Sequence, residues 1–247
     1  MTPSLNYIKT GDRPLLMFHG YGQEASVFKG IDGYSIDLFF HGSSIWSKGE
    51  EPLEKAEWKQ IVSDFLDKEK ITTFSVLGYS MGGKFALATL EAFPDRVKEI
   101  ILLAPDGIKT SFWYSLATYP IALRKFFKSM ISNHQRFLRI ARASKKIGLI
   151  DKGVLRFVET QMDSEEKRER VYYSWVVFRH LKFDIDKIRD VINKNNIELK
   201  VFVGDRDNII KAKSMKRLTS GISNCEFRIL DSGHSNLIQK AKPFIFP

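Results

Sequence analysis

The sequence predicts an α/β fold in which a mostly parallel sheet is flanked by helices, and three observations lead to this class. Short apolar segments alternate with helix-forming segments along much of the 247-residue chain, which is typical of a parallel sheet covered on both faces. One predicted strand runs directly into a helix through a serine bounded by glycines. Residues 109–193 lack strand alternation, which indicates an inserted group of helices.

Each element follows from its local composition. Runs of β-branched, aromatic and aliphatic residues predict strands at Leu5–Lys9, Leu15–Phe18, Ser35–Phe39, Thr72–Leu77, Val97–Leu103, Glu198–Val203 and Glu226–Leu230. Helix-forming stretches outside the inserted block are Pro52–Glu69, Gly82–Ala92 and Lys211–Ser220. Within the block we expect Asp163 to cap a helix, with Glu166 three residues later as in a capping box. We therefore expect a core of residues 1–108 and 194–247, interrupted by a helical insertion of residues 109–193.

Composition limits the classes of protein to consider. Hydrophobic residues make up 43% of the chain, but no apolar run reaches the ~20 residues of a membrane span. The segment from Met1 to Pro14 lacks the apolar centre of a signal peptide, and the single cysteine, Cys225, excludes an internal disulfide. We expect a cytoplasmic protein without a transmembrane segment. The sequence has no Cys/His spacing typical of a metal site and no nucleic-acid recognition motif.

The most informative motif is Gly-Tyr-Ser-Met-Gly at residues 78–82. It follows a predicted strand and opens a predicted helix, a turn that lifts the Ser80 hydroxyl clear of its neighbours. The N–H of Met81 then lies at a helix N-terminus, where a negative oxygen is stabilised. The same stretch is close to a phosphate-binding loop, Gly-x-x-x-x-Gly-Lys. Phe85, however, stands where that loop needs Ser or Thr to hold magnesium.

A serine nucleophile needs a base, usually a histidine that is oriented by a carboxylate. Both residue types follow predicted strands further along the chain. Asp205 and Asp207 follow the strand that ends at Val203, and His234 follows the strand that ends at Leu230. Open α/β sheets carry their chemistry at these strand ends. The order serine, aspartate, histidine is therefore compatible with nucleophilic catalysis, with either aspartate as the acid.

With these motifs the sequence resembles the α/β-hydrolase family. His19-Gly20 after the predicted strand Leu15–Phe18 matches the family's His-Gly oxyanion loop. The segment from Asp37 to Ser44 is similar to the family's Asp-x-x-Gly-His-Gly-x-Ser segment, except that Phe40 replaces the first glycine. The resemblance covers nearly the whole chain apart from the middle.

The resemblance implies a role for each matching residue. Ser80 is the implied nucleophile and His234 the general base. The family's acid commonly lies three residues after the glycine that ends the strand, which favours Asp207 over Asp205. The second oxyanion donor of the family follows the His-Gly pair, which implies that the backbone N–H of Tyr21 acts with that of Met81.

The inserted helices correspond to the family's cap, or lid, which covers the nucleophile and shapes the substrate pocket. Tyr79 beside the serine, and Phe112 and Trp113 at the start of the insertion, are candidate substrate-binding residues. Their alternative role is ordinary packing, because aromatic residues in a helical cap commonly form its core.

The implied activity is hydrolysis of a small-molecule carboxylic ester, or a thioester, through an acyl-serine intermediate, without a cofactor or metal. Three alternatives stay open. The same scaffold can run non-hydrolytic chemistry, such as a lyase step of menaquinone synthesis. It can also act on a carrier-bound methyl ester, as in biotin synthesis, or serve as a binding protein without catalysis.

The predicted cap is strongly basic. Between Lys109 and Val158 the sequence has eleven basic residues and one acidic residue, Asp151, so this segment accounts for the whole formal net charge of +10. An ordinary amphipathic cap with a solvated basic face is one interpretation. A docking surface for an acyl carrier protein or an anionic membrane is the other.

Overall fold

The computed structural model describes residues 3–109, 112–133, 135–136, 138–139, 143 and 163–245, with the backbone alone at 112, 113 and 132. Their strands are β1 (Tyr7–Thr10), β2 (Leu15–Phe18), β3 (Gly33–Ile36), β4 (Phe74–Tyr79), β5 (Val97–Leu103), β6 (Glu198–Gly204) and β7 (Cys225–Leu230). These strands form one sheet of spatial order β1-β3-β2-β4-β5-β6-β7. β1 pairs antiparallel with β3, and the other neighbours pair in parallel. The predicted fold class is confirmed.

The strand order reverses at β2, and this reversal positions the candidate site. β3 pairs with one edge of β2 and β4 pairs with the other, with Phe18 opposite Gly78. In open α/β sheets, ligands bind at such a switch point, beyond the carboxyl ends of the strands. The segments that follow β2 and β4 contain the predicted oxyanion loop and the predicted nucleophile.

From β3 onward, α-helices lie between successive strands. The described α-helices are α1 (Lys55–Lys68), α2 (Gly82–Ala92), α3 (Phe112–Thr118), α4 (Ile121–Ser132), α5 (Glu165–Val177), α6 (Ile185–Lys194), α7 (Ala212–Thr219) and α8 (Leu237–Ile245). In α6, for example, Ile185, Ile188 and Ile192 recur at helical spacing and are buried. Asp184 caps that helix, because its side chain accepts hydrogen bonds from the N–H groups of Asp186 and Lys187.

The chain divides into two compact units. The first contains residues 1–47, 53–110 and 180–247, and the second contains residues 48–52 and 111–179. The expected insertion, residues 109–193, therefore extends beyond residue 179, where the second unit ends. The difference is α6, which packs against α2 and α7 in the first unit through its buried isoleucines.

The second unit is held together by aromatic packing. Phe127 of α4 has its ring centroid 5.4 Å from that of Tyr172 and 5.7 Å from that of Trp175, both in α5. α5 is capped by Ser164, whose hydroxyl accepts a hydrogen bond from the N–H of Lys167 over 3.2 Å. The expectation that Asp163 caps this helix is therefore wrong by one residue. None of the described helices is both long and apolar enough to cross a membrane.

Candidate active site

The turn at Ser80 joins β4 directly to α2. Ser80 has a φ of +50°, in the left-handed region that residues other than glycine rarely adopt. Its N–H donates to the carbonyl of Leu103 over 2.9 Å, and its carbonyl accepts the N–H of Asp106 over 2.8 Å. The neighbouring strand β5 and the loop after it therefore hold the strained turn in place.

Close packing around this turn requires glycine at two positions. A Cβ atom at Gly78 would lie 2.7 Å from the carbonyl oxygen of Gly82 and 2.8 Å from Cβ of Ala86. A Cβ atom at Gly82 would lie 2.0 Å from the carbonyl oxygen of Phe18 and 2.8 Å from that of His19. The first turn of α2 thus lies directly against the end of β2.

Ser80, His234 and Asp207 form one hydrogen-bonded chain. Nε2 of His234 lies 2.9 Å from Oγ of Ser80, although 154 positions separate the two residues. Nδ1 of His234 lies 2.6 Å from Oδ2 of Asp207. Asp207 is 5% exposed, whereas Ser80 and His234 are half-buried. The carboxylate is therefore enclosed, and the serine-histidine pair keeps access to solvent.

The surroundings of Asp207 keep its carboxylate ionised. Burial raises the pKa of Asp207, but the hydrogen bond from His234 and those from the backbone of Ile210 and Ile209 together lower it below its ordinary value. The two backbone N–H groups reach Oδ1 over 2.9 and 2.8 Å. An ionised Asp207 favours a proton on Nδ1 of His234, which leaves Nε2 to accept the hydroxyl proton of Ser80.

The other candidate acid, Asp205, has different contacts. Its exposed carboxylate accepts the N–H of Ser232 over 3.0 Å and lies 3.6 Å from Nε of Arg206. Asp205 therefore stabilises the turn between β6 and the loop before His234, and the structure brings Asp207 to the imidazole.

His19 organises the predicted oxyanion loop. Its Nδ1 donates to the carbonyl of Gly20 over 2.7 Å, and its Nε2 accepts the N–H of Leu38 over 2.9 Å. Burial lowers the pKa of His19 to about 4, so the ring is neutral at pH 7 and has the one donor and one acceptor that these bonds require. Tyr21 follows, and its ring packs edge-on against His41, with centroids 5.4 Å apart.

The two predicted oxyanion donors occupy equivalent places beyond neighbouring strands. Phe18 of β2 pairs with Gly78 of β4, and Tyr21 and Met81 each lie three residues after this pair. Met81 immediately precedes the first residue of α2, where backbone N–H groups lack helical partners and the helix dipole is positive.

A family model matches the part of the chain that contains Ser80 and the loop at His19. Residues 13–147, more than half of the chain, match the family model described as the alpha/beta hydrolase fold. The chain belongs to the alpha/beta hydrolase fold family.

Relatives of this hydrolase-fold chain include proteins named for esterase activity. A Mycoplasma genitalium protein with the name "Putative esterase/lipase 2" is 24% identical over 234 residues, which cover 89% of this chain and 81% of that protein. An abhydrolase domain-containing protein of Schizosaccharomyces pombe is 25% identical over 153 residues, which cover 58% of this chain and 53% of that protein.

Solved structures share the fold at low sequence identity. A thermophilic esterase from Thermogutta terrifontis is similar with a TM-score of 0.69 and 17% identity, covering 98% of this chain and 89% of that one. The esterase RhEst1 from a Rhodococcus species has a TM-score of 0.65 and 18% identity, covering 98% and 94%. At these identities the similarity establishes the fold.

In this hydrolase-fold chain, Tyr79 lies behind the serine-histidine pair. Its side chain is 2% exposed, and its hydroxyl donates to the backbone carbonyl of His234 over 2.8 Å. Its ring centroid is 5.4 Å from that of His234, and a Cβ atom at Gly20 would lie 3.1 Å from the same ring. These contacts connect Tyr79 to His234, and its predicted role in substrate binding stays a prediction.

The other two predicted substrate-binding residues, Phe112 and Trp113, begin α3. Their side chains lie outside the described residues, so their role stays a prediction. Of the eleven basic residues of the predicted cap, five also lie outside the described residues: Arg142, Lys145, Lys146, Lys152 and Arg156.

Sequence analysis missed an ion pair beside the turn at Ser80. Nζ of Lys84 lies 3.1 Å from Oδ2 of Asp106, and Lys84 is 9% exposed. Because the N–H of Asp106 donates to the carbonyl of Ser80, the pair links α2 to the loop that holds the turn. The available signal was a lysine within an otherwise small and apolar helix start.

Asp37 is a second structural residue that sequence analysis left without a role. Its carboxylate accepts the N–H of Ala25 over 2.7 Å, the N–H of Ser43 over 2.9 Å and the side-chain amide of Asn6 over 2.8 Å.

Phe40, which replaces a glycine of the family segment, has a φ of +67°. The backbone thus keeps the conformation that suits glycine, although the residue is phenylalanine.

The arrangement can carry out attack by an activated hydroxyl. It combines a serine, an imidazole within hydrogen-bond distance of the serine hydroxyl, an ionised carboxylate bound to the other imidazole nitrogen, and a helix N-terminus next to the serine. Within the described ranges, no group of three or more His, Cys, Asp and Glu side chains is placed to hold a metal ion.

Proposed function

We propose that this chain hydrolyses a carboxylic ester, or a thioester, through an acyl-serine intermediate. The observation that carries the proposal is the hydrogen-bonded chain from Asp207 through His234 to Ser80. Nε2 of His234 takes the hydroxyl proton as Oγ of Ser80 attacks the substrate carbonyl carbon. Asp207 stabilises the resulting imidazolium and keeps it correctly oriented.

The negative oxygen that forms in this step is stabilised by backbone N–H groups. Met81 at the start of α2 is one proposed donor, and Tyr21 in the loop organised by His19 is the other. Loss of one such donor typically costs about 3 kcal/mol of transition-state stabilisation. The collapse of this intermediate expels the alcohol or thiol, which receives the proton held by His234.

Water completes the reaction. His234 removes a proton from a water molecule, the hydroxide attacks the acyl carbon, and Ser80 leaves as its proton returns from the imidazole. The products are a carboxylic acid and free enzyme. The chain's own side chains supply every proton transfer in this scheme.

The relatives support ester hydrolysis in general. The Mycoplasma genitalium relative is named as an esterase/lipase and aligns over most of both chains. Two structural neighbours are esterases from Thermogutta terrifontis and Rhodococcus. These similarities support the reaction class.

The decisive experiment compares Ser80→Ala with the wild-type chain on p-nitrophenyl esters of increasing acyl length. We expect kcat to fall by a factor on the order of 10⁴ or more, with loss of covalent labelling by a fluorophosphonate probe. Ser26→Ala removes an exposed serine and serves as the matched control, which should keep both properties. Wild-type rates in Ser80→Ala, or a wild-type chain that neither reacts with the probe nor cleaves any ester, would refute the proposal.

A further inference from the structure

Strand β7 lies at one edge of the sheet, and one of its two sides has no strand beside it. Its inner side pairs in parallel with β6, and the strand order of the described residues ends at β7. The carbonyls of Asn224 and Leu230 accept N–H groups from β6 and from the residue that follows it. Because the direction of backbone hydrogen bonding alternates along a strand, the N–H and C=O groups of residues 225, 227 and 229 point away from β6. They form an open row that a further strand can bind.

β7 lacks several of the features that commonly keep edge strands from pairing. It contains six residues, none of them glycine, proline or lysine, and its register with β6 is continuous. The edge strand on the opposite side of the sheet, β1, has four residues and carries the exposed Lys9. Short length, lysine, proline and bulges all discourage pairing between edges. β7 is therefore the edge that is better suited to receive another strand.

Two opposite charges occupy one face of β7. Glu226 and Arg228 lie two residues apart, which places them on the same face, and they form an ion pair. The guanidinium carbon of Arg228 also lies 4.7 Å from the ring centroid of Phe244 in α8. These contacts keep one negative and one positive charge at defined places beside the open backbone groups.

The opposite face of β7 is apolar. It carries Cys225 and Phe227, which are half-buried, and Ile229, which is 55% exposed. A strand that pairs with this edge therefore meets a charged row on one face and an apolar row on the other.

The order of these side chains suits a second copy of β7. When two copies pair antiparallel around a twofold axis at Phe227, Glu226 of each copy faces Arg228 of the other. On the apolar face, Cys225 of each copy faces Ile229 of the other. The outward backbone groups at 225, 227 and 229 then form the hydrogen-bonded pairs. The two pairs of Glu226 with Arg228 occupy the closer type of position, with Cα atoms about 4.5 Å apart.

Neighbouring registers bring like charges together. A twofold axis at Glu226 would place this residue opposite its own copy, and an axis at Arg228 would do the same for the arginine. Opposite charges across a strand pair stabilise a sheet, and like charges destabilise it. The charges thus favour the register centred on Phe227. A partner strand of uniform charge would be attracted by one of the two side chains and repelled by the other.

We propose that two copies of this chain associate through β7, so that their sheets continue into each other across a twofold axis. Backbone hydrogen bonds join the two strands, and two pairs of Glu226 with Arg228 fix the register. Ile229, exposed in the single chain, is covered by Cys225 of the second copy. The association goes beyond the proposed hydrolysis and does not depend on it.

The test is sedimentation equilibrium of the full chain over a range of concentrations, and we expect the wild type to show a monomer–dimer equilibrium. Glu226→Arg and Arg228→Glu each place like charges opposite each other at two positions. Each should raise the dimer dissociation constant by about tenfold or more. Ile229→Pro removes an outward N–H that makes no bond to β6, and it should weaken the dimer by about tenfold as well.

A mixture of the two charge variants tests the register directly. Glu226→Arg presents two positive charges and Arg228→Glu presents two negative charges, so the equimolar mixture should form a heterodimer about as tightly as the wild type associates with itself. The double variant Glu226→Arg/Arg228→Glu exchanges the charges and should also associate like the wild type. Misfolding of the single variants would produce neither result, and circular dichroism verifies that each variant is folded.

A control variant and hydrogen exchange locate the interface. Lys9→Glu changes a charge at the other edge of the sheet and should leave the dissociation constant unchanged. The amides of Phe227 and Ile229 should exchange more slowly at concentrations where the dimer forms. Four results would overturn the proposal: a wild type that stays monomeric up to its solubility limit, a dimer without this protection, unchanged association of the single charge variants, or a mixture of them that stays monomeric.

Discussion

Asp205 and Asp207 have the same functional group and lie two positions apart, but they experience different surroundings. The turn after β6 directs Asp207 into a buried position, where His234 and two backbone N–H groups bind its carboxylate. It leaves Asp205 exposed beside Arg206. Burial and hydrogen bonding, more than residue type, therefore decide which aspartate can orient the imidazole.

Asp207→Asn should reduce kcat by about 10⁴-fold with little change in the fold, because the neutral amide permits the wrong histidine tautomer. Asp205→Asn is the matched control and should stay within about threefold of the wild type, since surface substitutions have small effects. Steady-state kinetics on a p-nitrophenyl ester measures both. A larger loss in Asp205→Asn would contradict the assignment of the acid.

Tyr79→Phe removes a single hydroxyl and tests whether this residue positions His234. We expect kcat to fall by about tenfold with KM nearly unchanged, because small displacements of a catalytic group slow the chemical step. Tyr119→Phe removes a comparable bond, from a tyrosine hydroxyl to the backbone carbonyl of Arg179 over 2.6 Å, and should leave kcat unchanged. A higher KM at constant kcat would instead support the predicted substrate-binding role of Tyr79.

At the level of secondary-structure elements, the site depends on how closely α2 approaches β2. The start of α2 lies against the carbonyls of Phe18 and His19, with space for hydrogen alone at Gly82. The Lys84–Asp106 ion pair and the bond from Asp106 to Ser80 hold the other side of the turn. Two parallel strands, one helix and one loop therefore fix the serine from several directions.

Gly82→Ala should displace the first turn of α2, since its Cβ would lie 2.0 Å from the Phe18 carbonyl oxygen. We expect kcat/KM to fall by about 100-fold and the free energy of unfolding to drop by about 1–3 kcal/mol. Kinetics and urea denaturation measure the two effects. Gly233→Ala is the control, because a Cβ there meets no atom within 4 Å; equal losses in both variants would argue against the close-approach explanation.

Across the molecule, the site gathers residues from the carboxyl ends of β2, β4, β6 and β7. The reversal of strand order at β2 opens the space between the segments that follow β2 and β4. His19 ties the first of these segments to Leu38, beyond β3. A buried neutral histidine at this junction links the geometry of the site to the stability of the whole fold.

The depressed pKa of His19 predicts a pH dependence of stability. Between about pH 4 and 6.5 the unfolded chain binds a proton at His19 that the folded chain does not. The contribution of neutral His19 to the free energy of unfolding is therefore fully present above about pH 6.5. As the pH falls toward 4, protonation of the unfolded chain lowers the free energy of unfolding by about 3 kcal/mol at most. We expect the free energy of unfolding, measured by urea denaturation between pH 5 and 7, to depend less steeply on pH in His19→Gln than in the wild type. An equal pH dependence in both chains would contradict the prediction.

The strands were predictable because each is a short apolar run bounded by turn residues. β5 has the predicted bounds, Val97–Leu103. β3 covers Gly33–Ile36 and not Ser35–Phe39, because Asp37 leaves the sheet to accept hydrogen bonds from Ala25, Ser43 and Asn6. A local sequence pattern does not predict that a side chain will bind backbone groups from distant parts of the chain.

The candidate site also has features that a local sequence pattern predicts and features that it does not. The glycine-bounded turn at Ser80 and the positions of His19 and His234 after strands follow from local spacing, since backbone conformation depends on nearby residues. Helix α6 was assigned to the insertion because no strand pattern separates it from the preceding helices. Burial of its isoleucines in the first unit decided otherwise.

By itself the sequence determined how strands and helices follow one another along the chain, the glycine-bounded turn at Ser80 and the family resemblance, because each depends on residues close together in the chain. Only the tertiary structure decided that Asp207 contacts His234, that Tyr79 is buried behind the site, and that Lys84 pairs with Asp106. These outcomes depend on which side chains meet after folding. Ser80 and His234 are 154 positions apart, and no local pattern encodes a contact over that separation.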